Sequence, residues 1–185
     1  MKGLSRKVGT AALLVAAAFL AAACGETNNF GGSVDVEKIC PFEQGTSSGT
    51  CLSNPSVSMA DGSPLSADLT VANRMQSFDS GGVGQHARVY RMDVEYRTPN
   101  GATLPQRREQ LAYTISPRAD AASAATTVTF PVTLMSYEQI EYINNNRGRF
   151  PDYPFQVSLQ IRVYYDTTGA ASGHVDRVVS VEAVQ

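Results

Sequence analysis

Chemistry in this 185-residue chain could reside in three cysteines, two histidines and seventeen carboxylates. The histidines, His86 and His174, have no metal-ligating partner two to four positions away, and no His-Glu-x-x-His occurs. A nucleophilic triad needs a serine or cysteine beside a base that a carboxylate orients, and no Gly-x-Ser-x-Gly elbow is present. Ser80-Gly81-Gly82-Val83-Gly84 is rich in glycine but lacks the P-loop lysine and the strand–helix context of a phosphate cradle, so it reads as a loop. There is no Cys-x-x-Cys-His for covalent haem. Asp61 and Asp152 lack the dense acidic spacing of a calcium loop. A glycosidase pair meets only in the fold, but sugar-cleaving sites usually bring tryptophan platforms and this chain has none. No catalytic residue, metal or cofactor is therefore expected, and the thiols become the informative groups.

Cys24 closes a leader. Lys2, Arg6 and Lys7 precede an apolar run over residues 8–23 that holds Leu13, Leu14, Val15, Phe19 and Leu20 among alanines. A charged start, an apolar middle and small residues at the end make a secretory signal peptide. As a helix the run would span about 24 Å, short of the ~30 Å hydrocarbon core, so a permanent membrane span is the weaker reading.

The end of the run, Leu20-Ala21-Ala22-Ala23-Cys24, resembles the lipobox of bacterial lipoproteins. The resemblance covers residues 1–24. It implies cleavage before Cys24 and a diacylglyceryl group on its thiol, with the lipidated cysteine as the new N-terminus. It departs from the usual pattern in one place, since Ala21 stands where that family usually has leucine and Leu20 lies one place earlier. An ordinary A-x-A signal peptide that happens to precede a cysteine is the alternative. Because one acyl chain binds marginally and two or more hold stably, an anchor of this kind would not release the protein. Residue 25 is glycine, not aspartate, so the resemblance implies the outer membrane in a host with two membranes. The expected location is the cell envelope.

Loss of residues 1–23 leaves twelve basic and seventeen acidic residues, a net charge of −5. That mild acidity argues against nucleic acid or an anionic lipid surface as a partner, since both need clustered lysine and arginine. Residues 34–185 are expected to form a single domain behind a flexible tether at 24–33. With Cys24 assigned to lipid, Cys40 and Cys51 remain as an even pair in an oxidising compartment. A bridge between them would staple the N-terminal segment and cost the unfolded chain about 3 kcal/mol of entropy. Free thiols or a metal pair are the alternatives, though no further cysteine or histidine stands near to complete a metal site.

The elements that would position these groups are mostly strands. Val34, Val36 and Ile39 suggest a first strand, and Val57 with Met59 a short second one. Ala67, Leu69 and Val71 alternate with Asp68, Thr70 and Ala72. Tyr90, Met92, Val94 and Tyr96 alternate with Arg91, Asp93, Glu95 and Arg97, which predicts a core face opposite a wet charged one. Thr98-Pro99-Asn100-Gly101 is a turn. Further alternation covers 111–116, 127–134, 155–166 and 175–184, and Pro131 marks an edge strand or a bulge. Ser136 with Gln139 forms a capping box for one short helix near 137–147, with Ile140 and Ile143 on one face and Gly148 at C′.

Six to eight strands with Gly, Pro and Asn turns predict a mainly β fold, an antiparallel β-sandwich of immunoglobulin-like architecture, with a barrel as the alternative. Arg147, Arg149, Phe150 and Tyr153 form the one surface segment with an interface-like composition. The bland alternative is that Phe150 and Tyr153 cover the end of the sandwich. The function expected is a lipid-anchored, non-enzymatic envelope protein that binds a protein partner or scaffolds an assembly. A small-molecule or carbohydrate-binding module and a hydrolase with a carboxylate site are the rivals.

Overall fold

The structure is a computed structural model that describes residues 34–43, 51–75, 85–119, 122–168 and 172–185. Cys24, the leader, the 24–33 segment and the glycine-rich stretch at 76–84 lie outside the described residues. The fold is mainly β, with 61% of the described residues in strands and 9% helical. Its elements are β1 (Val34–Glu43), β2 (Ser56–Ser58), β3 (Leu65–Asn73), β4 (Ala87–Arg97), β5 (Arg107–Ile115), β6 (Thr126–Met135), α1 (Tyr137–Asn145), β7 (Phe155–Thr167) and β8 (Ser172–Val184). A three-residue 3-10 turn, Arg147–Arg149, follows α1.

The strands form two sheets, one of three strands in the order β1-β3-β6 and one of five in the order β2-β8-β7-β4-β5. One of the two curls into a half-barrel. Pairing is antiparallel except at β2, which runs parallel to β8 over three residues, Ser56↔Glu182 to Ser58↔Val184. That departs from the all-antiparallel expectation. The segment after Cys51 crosses from the small sheet to the edge of the large one, and its direction relative to the last strand is the same. One hydrophobic cluster unites the inner faces, from Leu69, Val71 and Phe130 on the small sheet to Met92, Val94, Leu159 and Ile161 on the large one.

Three bulges decide which side chains reach that core. In β1 the register slips between Val36 and Lys38, leaving Glu37 as an extra residue. The slip keeps Ile39 on the side of Val34 and Val36 despite the odd spacing. In β4 the slip lies between Val89 and Arg91, so Tyr90 is extra. Tyr90 therefore does not share the core face with Met92, Val94 and Tyr96. Its ring lies 6.3 Å from that of Tyr164, which belongs to the outer face. In β6, Leu134 is the extra residue opposite Leu65 and Ser66, and both Leu134 and Met135 are buried. β6 is an edge strand of its sheet, the place that Pro131 requires.

Two polar contacts fix the ends of the sheets against each other. Asn73 is fully buried and donates through Nδ2 to the Gln85 carbonyl at 3.0 Å and the Ile115 carbonyl at 3.1 Å. At the other end the Tyr96 hydroxyl donates to the Leu134 carbonyl at 2.7 Å. The first pole also holds Val34, which pairs with Asn73, and the second leads into α1. α1 starts as its capping box predicts, with the Ser136 N–H donating to Gln139 Oε1 at 3.1 Å. It buries Ile140 and Ile143. Its end differs from the expectation. Asn146 is the C-cap with φ −120°, and Gly148 sits inside the 3-10 turn rather than at a left-handed C′ position. Gly101 does adopt positive φ (79°), as the Asn-Gly turn demands.

Candidate functional site

The sulfur atoms of Cys40 and Cys51 are bonded, with the Cα atoms 4.6 Å apart. Cys40 is buried on β1, and Cys51 is exposed at the start of the crossing segment. The Leu52 N–H then donates to the Pro41 carbonyl at 2.9 Å, and the Glu182 N–H to the Pro55 carbonyl at 2.9 Å. The crossing segment is thus pinned to the small sheet at one end and to the large sheet at the other.

Above it the two sheets part along a seam between β1 and β8. A cavity of about 720 Å³ opens there, lined by Ile39, Pro41, Leu52, Pro55, Val178 and Glu182 among others. Val178 is 66% exposed. The upper end of the seam is closed by Arg177. Its Nη2 donates to Asp35 Oδ1 at 2.6 Å and to the Val36 carbonyl at 2.7 Å. Its Nε donates to the same carbonyl at 3.0 Å, and Nη1 to the Asp176 carbonyl at 3.2 Å.

The outer face of the five-stranded sheet carries charge in matched rows. Arg88 pairs with Asp166 at 2.7 Å, Arg97 with Glu95 at 3.8 Å, and Arg162 with Asp176 through Nε at 2.8 Å and Nη2 at 3.2 Å. The hydrogen bond to Asp176 is the chief cause that raises the Arg162 pKa above its ordinary value. Asp93 corrects the expectation of a uniformly wet face, because its side chain is only 6% exposed. Arg108 Nε donates to it at 3.1 Å, and Arg91 Nε lies 3.3 Å away without meeting hydrogen-bond geometry. The Arg91 guanidinium stacks 3.7 Å over the Tyr164 ring, which holds it in place, and the two long arginine side chains cover the carboxylate.

The outer face of the three-stranded sheet carries a row of threonines beside Asp68 and Lys38. Thr70, Thr127, Thr129 and Thr133 lie on it, and the hydroxyls of Thr70 and Thr129 are 2.9 Å apart.

The segment 147–153 knits itself to the α1 pole. Phe150 is buried and stacks on Phe155 with ring centroids 6.2 Å apart. Tyr153 stacks on the other side of that cluster, 5.5 Å from Phe155. Arg147 lies over Tyr153 at 4.0 Å and donates to the carbonyls of Phe150 and Pro151. Burial raises the Tyr153 hydroxyl pKa, and the Arg147 charge opposes that shift. Arg149 Nη1 donates to the Tyr142 hydroxyl at 2.8 Å. The aromatic side chains of this segment close the end of the core, and the arginines orient them.

His86 lies just before β4. His174 lies inside β8, opposite Tyr164, with Nε2 4.0 Å from Asp176. Among the described residues no three His, Cys, Asp or Glu side chains gather as a metal site. No helix among them is long and apolar enough to cross a membrane. The sequence reading did not find Arg177 or Asp93. Arg177 is 141 residues from its Val36 partner, and only the inward phase of residue 177 within the β8 alternation hints at it.

No family model matches the chain, and no curated protein matches it. Three solved structures show a loose likeness. A structural-genomics target designated SoR45 is 10% identical with a TM-score of 0.39, over 80% of this chain and 86% of that one. A protein from Archaeoglobus fulgidus is 12% identical with a TM-score of 0.40, over 79% and 95%. Spo0M, a sporulation control protein from Bacillus subtilis, is 11% identical with a TM-score of 0.35, over 83% and 50%.

Proposed function

We propose that this chain is a lipid-anchored, non-enzymatic protein of the cell envelope that binds a protein partner or scaffolds an envelope assembly. The observation that carries the reading is the Cys40–Cys51 disulfide, since bridges of this kind form and persist in exported proteins. It agrees with the signal peptide read at residues 1–23 and leaves Cys24 as the thiol for acylation. The anchor would hold the domain at the outer membrane in a host with two membranes. The net charge of −5 after cleavage fits a protein partner better than nucleic acid.

The domain itself we read as an immunoglobulin-like sandwich. The support is strand order: β1, β3 and β6 take the places of A, B and E, and β8, β7, β4 and β5 those of G, F, C and C′. β2 then corresponds to a short second half of the first strand that crosses to the other sheet. Non-enzymatic binding is supported by the carboxylates Asp93, Asp166 and Asp176, each paired with an arginine. A small-molecule module is the second reading, favoured by the 720 Å³ cavity at the β1–β8 seam.

The anchor is tested by Cys24→Ser in cells fed a labelled fatty acid. The wild type should take up label and sediment with membranes. The variant should lose the label and either become soluble or accumulate as precursor. A variant processed normally and still membrane-bound would overturn the reading.

A further inference from the structure

We propose that residues 34–36 form a joint that can open independently of the rest of the fold, and that Arg177 is its latch. β1 is divided by the bulge at Glu37 into two stretches held by different means. The lower stretch is fixed by the Cys40–Cys51 bond and by the Leu52 N–H on the Pro41 carbonyl. The upper stretch pairs on one side only, Val34↔Asn73 to Val36↔Val71. Its other side meets the large sheet through the Arg177 guanidinium, which gathers Asp35 Oδ1 and the Val36 carbonyl at 2.6–3.0 Å. The bulge is what makes this possible. An irregular residue breaks the ladder and turns a neighbouring carbonyl away from it, here toward the arginine. An inward-pointing charge at a sheet edge also discourages pairing with a foreign strand, so the latch protects the seam it closes.

The joint lies where the chain from Cys24 first enters the fold, and its purpose, though not its existence, rests on the reading of Cys24 as an anchor. A pull through the anchor reaches residues 34–36 before any other part of the sheets. The bulge stops an opening there from running into the disulfide-held stretch. Opening there lifts the buried Val34 and Val36 from the rim of the core, while the tether gains three residues, about 10 Å of reach.

Amide hydrogen exchange on the full chain reads this directly, comparing wild type with Arg177→Gln and Asp35→Asn. Arg177→Gln should speed exchange of peptides over 34–36 about tenfold, the loss expected for charge-assisted hydrogen bonds. Peptides over 38–42 and over β7 should change less than about twofold on the same reasoning. No change at 34–36, or an equal rise in β7, would overturn the latch. If Arg177→Gln fails to fold, Asp35→Asn keeps both bonds to the Val36 carbonyl and should give a smaller rise confined to 34–36. A nil or uniform response there overturns the proposal equally. Repeating the measurement on the Cys24→Ser protein separates a failed anchor from a failed latch.

Discussion

The two seams between the sheets are closed in opposite ways. At β1–β8 the closure is polar and covalent: the Arg177 clasp above, the Cys40–Cys51 bridge below, and the cavity between them. At β5–β6 it is aromatic. Tyr113 and Phe130 stack face to face with centroids 4.0 Å apart and planes 10° apart. The Tyr96 hydroxyl bonds Leu134 behind them. Each seam also carries an arginine–carboxylate pair, yet only Arg177–Asp35 spans the two sheets. Arg107–Glu109, at 3.2 Å, stays on β5. The two closures should therefore open differently. Apolar packing has no partner to exchange with water and fails only with the whole core. A polar clasp on a bulged edge strand can let go by itself.

The largest effect should come from the aromatic seam. Phe130→Ala removes a fully buried ring from the core and from the Tyr113 stack, and should cost about 3–5 kcal/mol by denaturant unfolding. A loss under ~1 kcal/mol would mean that this seam is not the rigid one. Replacing Cys40 and Cys51 together by serine should cost about 3 kcal/mol, the entropy released by opening a short loop. In the same protein the protection of β5 and β6 should be affected least.

Tyr96→Phe comes next, at about 1–2 kcal/mol near neutral pH, because it leaves the buried Leu134 carbonyl without its donor. Its pH dependence gives a sharper check. Burial is the largest cause that pushes the Tyr96 hydroxyl well above 10.0, offset in part by Arg107 and reinforced by Glu138. The folded state therefore binds the proton more tightly than the unfolded chain does. Its stabilising share is complete below pH 10 and drains as pH climbs beyond that. Wild type should lose stability steeply in alkali, and Tyr96→Phe should lose less over the same range. Equal slopes would contradict the burial of this hydroxyl. The smallest effect belongs to the exposed small-sheet face. Thr129→Val removes one hydroxyl–hydroxyl contact and should shift stability by no more than about 0.5 kcal/mol.

Most strands were legible because alternation of period two survives in a half-buried sheet. Leu69, Val71, Leu159, Ile161 and Val181 all lie on the side their pattern assigns. The helix start was legible from Ser136 and Gln139, and the bridge from the parity of the cysteines. What failed to show in the sequence is register. A bulge changes phase without leaving a mark of its own, so Tyr90 looked like a core residue. Asp93 stays on the outer face but is covered by Arg108 on β5 and by Arg91 on its own strand, which in turn stacks on Tyr164 of β7, an arrangement across three strands that no single stretch contains. The parallel course of β2 and the reach of Arg177 to Val36 are likewise facts of long-range pairing. Gly148 misled in another way, because Asn146 had already ended α1.

On the proposed reading the chain is exported, cleaved and acylated at Cys24, with its other two cysteines oxidised. Intact-mass analysis of the protein recovered from membranes, without reduction, tests all of it at once. The predicted species begins at Cys24, carries the added mass of acyl chains on that residue, and is two hydrogens lighter than its dithiol form at Cys40 and Cys51. A species that retains residues 1–23 with Cys24 unmodified and all three thiols free would contradict it.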